Sequence, residues 1–420
     1  MLQSTKKKDS TAEFEHQWAL IKRGTVDVLP ESEWKERLKE SITKSQPLRV
    51  KQGFDPTSPD IHLGHTVGIR KLKQFQELGH KIVLIVGDYT ALVGDPSGQS
   101  STRPRITYDE IMKNAETYQQ QFFKILDKSK TEIRFNGDWF KKMDFMQIMN
   151  LAAQFTVARL LEREDFTIRI QKQTPISIHE LFYPLMQGYD SVAIKADVEI
   201  GATEQKFNLL AGRTIQEAYQ VRPQVILTMP ILVGLDGQMK MSKSLNNYIG
   251  IDEPPRQIFG KAMSIPDKQI YDYFELATDV TLEELEKIKK ELSKPDVNPM
   301  VIKKRLGETL ADMYHSKGSG REAREEFERV FSQKQLPDEL PELNRKELKK
   351  LGFNDEKIYL VHLIAKCEFA KSNSEARKLI QAGAVTLDGQ RVDDPEMEFE
   401  LKKDMILKVG KRRFLKLVSS

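Results

Sequence analysis

Arg49–Val86 reads RVKQGFDPTSPDIHLGHTVGIRKLKQFQELGHKIVLIV, and this stretch decides the architecture of the chain. Arg49–Phe54 has the residue types of a short strand, closed by Gly53 and the turn Asp55-Pro56-Thr57. From His62-Leu63-Gly64-His65 onward, Val67, Ile69, Leu72, Phe75 and Leu78 are spaced to bury one stripe of a helix. Gly79 is placed to stop that helix, as a left-handed glycine does just past a C-terminus. Ile82–Val86 is then a continuous apolar run of strand length, the pattern of a parallel strand covered on both faces. Strand, helix and strand in this order make a βαβ unit.

Downstream, Gly94-Asp95-Pro96-Ser97-Gly98 is a turn cluster, and Thr107 with Glu110 forms a capping box that opens a helix. The pattern over 107–196 is mostly helical, with a second capping box at Ser177 and Glu180. Val225–Val233 reads as a buried strand that ends in a loop of Gly234, Asp236 and Gly237. Together these predict an α/β fold, a doubly wound, Rossmann-like parallel sheet over 49–250 with a helical insertion at 107–196. Residues 1–48 read as an N-terminal helical extension, and 251–332 as a helical domain with charged faces. The polar stretch 333–356 carries two prolines and reads as a linker. A small α+β domain is expected over 357–420. In it, Ser372 and Glu375 cap a helix that Gly383 ends, and Asp388-Gly389 turns a hairpin.

At 420 residues the chain is long enough for two or three domains. Hydrophobic content of 39% beside 30% charged residues is that of a globular protein. The net charge of +4 permits a nucleic-acid partner without demanding one. Cys367 is the single cysteine, which excludes a disulfide framework and fits a reducing compartment. The polar N-terminus lacks the apolar core of a signal peptide, and the longest apolar runs are about half of what a bilayer needs. A cytoplasmic location is the expectation.

Two motifs carry chemistry. His62-Leu63-Gly64-His65 sits at a strand-to-helix junction, where backbone N–H groups and the helix dipole favour an anion. Both rings can point at that anion, and Gly64 lets a flat ring pack against the backbone between them. A helix cap or half a metal site uses the same residues, but no third or fourth ligand is suggested, so no metal is expected here. Lys240-Met241-Ser242-Lys243-Ser244 follows the last strand in a glycine-bounded loop, and two lysines three apart suit a polyphosphate clamp. Tyr183, Gln187 and Asp190 fall at i, i+4 and i+7, so one helix face presents a phenol, an amide and a carboxylate. Pro184 lies inside that helix and should kink it.

The two motifs, in this order and separation, resemble the HIGH and KMSKS signatures of class I aminoacyl-tRNA synthetases, the second letter for letter. Within that class the chain resembles the bacterial tyrosyl-tRNA synthetases over nearly its whole length. The matching stretches are Gly53–Thr57, Gly94–Gly98, Tyr183–Asp190 and Gly201–Gln205, and the tail after Lys357 looks like an S4-type RNA-binding domain. The resemblance implies that tyrosine is activated with Mg-ATP and transferred to tRNA(Tyr) by a homodimer joined through the helical insertion, with 251–332 at the anticodon. Asp190 would accept the phenol proton, while Tyr183, Gln187 and Asp95 would hold the ammonium. Asp55, Thr57 and Gln205 would serve the adenylate, with Gly53, Gly64 and Gly201 beside the nucleotide. His62 and His65 would meet the α-phosphate and ribose, and Lys240 and Lys243 the β- and γ-phosphates. Arg377, Lys378, Lys411, Arg412 and Arg413 would contact RNA.

Three departures from the family pattern stand out. Lys51 replaces a tyrosine common in the family, leaving the phenol fewer partners. Ala202 and Glu204 stand where a glycine and an aspartate usually meet the ribose. Gln99 replaces a lysine found in some members, which shifts pyrophosphate binding elsewhere, for instance to Arg103. Other readings stay open on the motifs: a different HxGH nucleotidyltransferase, a tryptophanyl-tRNA synthetase, or a catalytically dead RNA-binding paralogue.

Overall fold

The computed structural model describes the chain except for residue 1, 58–60, 98–105, 333–339, 355–356, 411–412 and 420, and the side chains of 2–9 and 331–332. The chain forms two compact units, Met1–Arg324 and Glu325–Ser420.

In the first unit the strands are β1 (Asp27–Leu29), β2 (Arg49–Phe54), β3 (Lys81–Val86), β4 (Thr131–Phe135), β5 (Val198–Ala202) and β6 (Val225–Met229). They form one sheet in the order β1-β6-β5-β2-β3-β4, parallel except for β1, which runs antiparallel to β6. The apolar run of β3 is buried on both faces, because helices cover the sheet on either side. The helix Leu63–Glu77 lays Leu63, Val67, Ile69, Leu72 and Phe75 into the core, and each such side chain contributes about 1.5–3 kcal/mol on burial. Gly79 adopts φ +87° just beyond it. Strand order reverses between β2 and β5, and a doubly wound sheet opens its ligand crevice at the carboxyl ends of such a pair.

Three expectations change. The N-terminal extension is not wholly helical: between the helices Leu2–Lys22 and Glu31–Lys44, β1 joins the main sheet with Val28 opposite Leu227. The segment 107–196 is likewise not all helix, because Thr131–Phe135 extends the sheet as its far edge, with Val83 opposite Glu132. The helices after 251 do not build a core of their own. Ile258, Tyr273, Leu285, Leu306 and Tyr314 belong to the same apolar cluster as Val50, Leu72 and Leu227. Both capping boxes appear as read, at Thr107–Glu110 and Ser177–Glu180, and the helix Ile178–Ile194 runs through Pro184.

The second unit has its own core, built around Leu360, Ile364, Ile380, Val385, Leu407 and Leu417. Its strands are β7 (Glu342–Asn344), β8 (Lys357–Tyr359), β9 (Val385–Leu387), β10 (Gln390–Arg391), β11 (Glu398–Glu400), β12 (Met405–Val409) and β13 (Arg413–Val418). One sheet runs β10-β9-β12-β13-β7, and β11 pairs with β8. The turn between β9 and β10 has φ 49° at Asp388 and 78° at Gly389, the positive pair that a type I′ hairpin requires. The linker reading of 333–356 fails over its second half. β7 pairs in parallel with β13, and the helix Arg345–Lys350 buries Leu348 in this core.

Candidate functional site

The crevice between β2 and β5 narrows to a pocket lined by Gly53, Asp55, Thr90, Tyr183, Gln187, Asp190 and Gln205. Tyr183 donates to Asp55 Oδ2 at 2.9 Å, and Thr90 donates to Asp55 Oδ1 at 2.7 Å. The Gln187 amide donates to Glu199 Oε1 at 3.0 Å and accepts from Asn208 at 3.0 Å, which fixes which end faces which. Asp190 accepts from the Trp139 indole at 3.0 Å and from Asn136 at 3.4 Å. Burial pushes its carboxyl up to about 7, against the pull of the Lys51 ammonium. Asp95 accepts from the Ser97 backbone at 2.9 Å and from Gln205 at 3.3 Å, which ties it to the pocket rim. The helix spacing thus brings Tyr183, Gln187 and Asp190 together. Trp139, Asn136, Thr90, Asn208 and Glu199, which hold them, were not singled out from the sequence.

Lys51 occupies neither the pocket nor its rim. It is fully buried behind the helix Ile178–Ile194, paired with Glu199 at 3.0 Å.

Above the pocket the crevice widens to a cleft of about 760 Å³, whose lining includes Thr57, His62, Gly64, His65, Gly201, Ala202, Glu204 and Lys240. The two imidazoles stack with centroids 3.8 Å apart and planes at 25°. A Cβ on Gly64 would stand 3.0 Å from the His62 ring, which explains glycine at that position. Burial, the neighbouring His65 and the Lys243 ammonium depress His62 to about 2. Burial and Lys243 hold His65 near about 4. Both rings are therefore neutral at physiological pH and act as hydrogen-bonding groups rather than as charges.

The helix N-terminus itself differs from expectation. Leu63 N–H is bound to Ile249 O at 2.9 Å, Gly64 N–H to Met241 Sδ at 3.3 Å, and His65 N–H to His62 O at 2.9 Å. The first two donors are occupied because the loop from Met241 to Gly250 folds over them, so the imidazoles and Lys240 are what face the cleft. That loop is braced by Asn247, which accepts from Ser242 N–H at 2.7 Å and donates to Asp236 at 2.6 Å. Lys240 pairs with Glu204 at 3.2 Å. Lys243 is not among the lining residues, although its charge reaches both histidines. Gln99 and Arg103 lie outside the described residues. Among the described residues no group of three or more His, Cys, Asp or Glu side chains is placed to hold a metal.

In the second unit, Arg377 donates to Glu396 at 3.3 Å and to Tyr359 at 3.0 Å, while Lys378 and Arg413 are exposed. Lys403 pairs with Asp388 at 2.6 Å and Lys402 with Glu400 at 2.7 Å, so part of the basic cluster is internally neutralised. Lys411 and Arg412 lie outside the described residues.

A crevice at a sheet reversal, two stacked histidines at a helix start and a lysine loop across from them define a nucleotide-activating class of enzyme. A family model described as tRNA synthetases class I (W and Y) matches residues 43–332, and one described as a tyrosine–tRNA ligase SYY-like C-terminal domain matches 339–417. The chain belongs to the class I tRNA synthetases of this tryptophan and tyrosine group.

Its curated relatives narrow the group further. It is 50% identical over 405 residues to the tyrosine–tRNA ligase of Moorella thermoacetica, covering 96% of each chain. It is 48% identical over 405 residues to that of Aquifex aeolicus, covering 96% of this chain and 99% of the other. Solved structures agree in fold. The C-terminally truncated mitochondrial tyrosyl-tRNA synthetase of Aspergillus nidulans superposes with a TM-score of 0.62 at 18% identity, over 77% of this chain and 100% of the other. The tyrosyl-tRNA synthetase of Archaeoglobus fulgidus, complexed with L-tyrosine, gives 0.60 at 22% identity, over 74% and 99%. Among the described residues no helix is long and apolar enough to cross a membrane.

Proposed function

We infer that this chain activates L-tyrosine with ATP, releasing pyrophosphate, and transfers the tyrosyl group to the 3′ end of tRNA(Tyr). The observation that carries the reading is one continuous crevice. Its floor presents the Asp190 carboxylate beside Tyr183 and Gln187, and its wider part is lined by His62, His65 and Lys240. At the floor, Asp190 accepts the substrate phenol, while Tyr183, Gln187 and Asp95 receive the ammonium. The carboxylate is thereby aimed up the crevice toward the α-phosphorus. Its attack expels pyrophosphate without a protein nucleophile, so catalysis is alignment and stabilisation of developing charge. Asp55, Thr57, Gln205 and the bare backbone at Gly53, Gly64 and Gly201 border the adenylate. Neutral His62 and His65 donate hydrogen bonds to the α-phosphate and ribose side. Lys240 and Lys243 close on the β- and γ-phosphates, which arrive with Mg²⁺ as part of the nucleotide.

Arg377, Lys378, Lys411, Arg412 and Arg413 serve tRNA, through phosphate contacts whose strength falls with salt. A homodimer through the helical insertion is supported by the exposed apolar side chains of Phe145, Met146, Val157, Ile170 and Ile178.

The test is ATP–pyrophosphate exchange with each of the twenty amino acids, and tyrosine is expected to be the only one that supports it. Rejection of phenylalanine without editing is an established property of tyrosyl-tRNA synthetases. Comparable exchange with phenylalanine or tryptophan would sink the substrate assignment.

A further inference from the structure

Two charges lie buried where β2 and β5 should be purely apolar. Lys51 and Glu199 are both inaccessible, and their side chains meet at 3.0 Å. Lys51 also donates to the Gln187 carbonyl at 2.8 Å and to Ser191 Oγ at 2.8 Å. Glu199 receives Gln187 Nε2 at 3.0 Å and Ser191 Oγ at 3.1 Å, with Gln224 on its other side. The pair therefore grips the helix Ile178–Ile194 at Gln187 and Ser191, three residues before Asp190 and one after it. A buried ion pair is a poor source of stability, since its desolvation offsets most of its attraction. Its position suggests another use.

We propose that Lys51 is a positioning residue for tyrosine specificity: with Glu199 it fixes the helix turn that carries Gln187 and Asp190, and it sets a positive charge beneath the carboxylate that receives the phenol. This rests on the reading of the pocket floor as the tyrosine site. The groups that act on Asp190 from packed elements are Lys51 on β2, Glu199 on β5, and Asn136 and Trp139 beyond β4. Lys51 is the one cation among them, and its pull outweighs the opposing push of Glu199. A neutral Asp190 would retain a proton of its own and lose most of its preference for a phenol donor.

The experiment measures kcat/KM for tyrosine in pyrophosphate exchange between pH 5.5 and 8.5, which reports ionisation of the free enzyme. The wild type should show an acid limb near pH 7, set by Asp190. Removing Lys51 alone would strand a buried carboxylate, so the variant is the double Lys51→Met/Glu199→Gln, which removes both charges. Its limb should move up by about one pH unit. That lowers kcat/KM about tenfold at pH 6 and less than twofold at pH 8.5, with the KM for ATP unchanged. A second double variant, Lys51→Gln/Glu199→Gln, removes the same two charges but keeps polar ends toward Gln187 and Ser191, and its limb should move the same way. If the Lys51→Met/Glu199→Gln variant does not fold, the upward shift in Lys51→Gln/Glu199→Gln remains a decisive expectation.

Unmoved limbs, or losses equal at every pH, would reduce the pair to a structural brace and overturn the inference alone. A wild type without tyrosine-dependent exchange would instead overturn the functional reading, and this inference with it.

Discussion

At the floor of the crevice, Asp55 sits between Tyr183 and Thr90, Gln187 between Glu199 and Asn208, and Asp190 between Trp139 and Asn136. On the phosphate side, two neutral imidazoles stack on each other, and Lys240 reaches to a partly exposed Glu204. The floor is buried and cross-braced, so it is organised before substrate arrives. In the upper wall the Lys240–Glu204 pair is partly exposed, and a phosphate entering there would compete with Glu204 for the lysine. A rigid floor binds ground state and transition state alike. A wall that tightens only as charge develops is the part that raises the rate.

The sharpest way to break that contrast is Lys243→Ala. The rate of pyrophosphate exchange should fall on the order of 100- to 1,000-fold, as when one charge-stabilising group is deleted from an active site. Tyrosine affinity, measured by equilibrium dialysis, should change less than about twofold, because the floor is untouched. Equal losses in rate and in affinity would show that the two regions are not separate in function.

The same contrast explains what was legible in the sequence. The phosphate side is written in local motifs, and His62, His65, Lys240 and Gly64 are in the cleft where spacing put them. What spacing could not show was that the helix N–H groups are already taken by Ile249 and Met241, because those partners arrive from far along the chain. On the floor, Tyr183, Gln187 and Asp190 were readable because i, i+4 and i+7 share one helix face. Trp139 and Asn136 were not, since they follow a short edge strand, Thr131–Phe135, whose alternation spans only Glu132–Phe135 within a stretch otherwise helical in pattern. β5 escaped notice for a related reason: Glu199 interrupts its apolar run. Lys51 interrupts β2 in the same way, and the two interruptions neutralise each other in the core. A polar residue in a would-be strand is a signal only when its partner is known.

A weaker test uses the second unit. The pocket and cleft residues named above all lie between 49 and 250, and the apolar core of 342–418 shares no residue with that of the first unit. Ending the chain after Ser332 should leave tyrosine-dependent pyrophosphate exchange within about twofold of normal. It should lower tRNA charging at least about tenfold, most of all at low salt, where phosphate contacts count for most. Charging by the short chain equal to that of the full chain would remove the RNA-binding role assigned to the tail.

The smallest expected effect is at Glu204, where two readings of one residue predict opposite signs. The resemblance read from the sequence sets Glu204 at a ribose-contacting position, whereas its carboxylate pairs with Lys240 at 3.2 Å. If it is a resting partner for the lysine loop, ATP must displace it before Lys240 can reach phosphate. An ion pair this exposed is worth only about 0.2–1 kcal/mol, so its release changes affinity by no more than about fivefold. Glu204→Gln should therefore lower the KM for ATP by roughly two- to fivefold at low ionic strength. The gain should shrink toward nothing at about 0.5 M salt, where such pairs are screened. A ribose contact predicts the reverse: the KM for ATP would rise, with little dependence on salt, because a hydrogen bond to a hydroxyl is lost. The first outcome makes Glu204 a latch on the mobile wall. The second makes it part of the fixed floor, and the boundary between the two regions would then move up by one residue's reach.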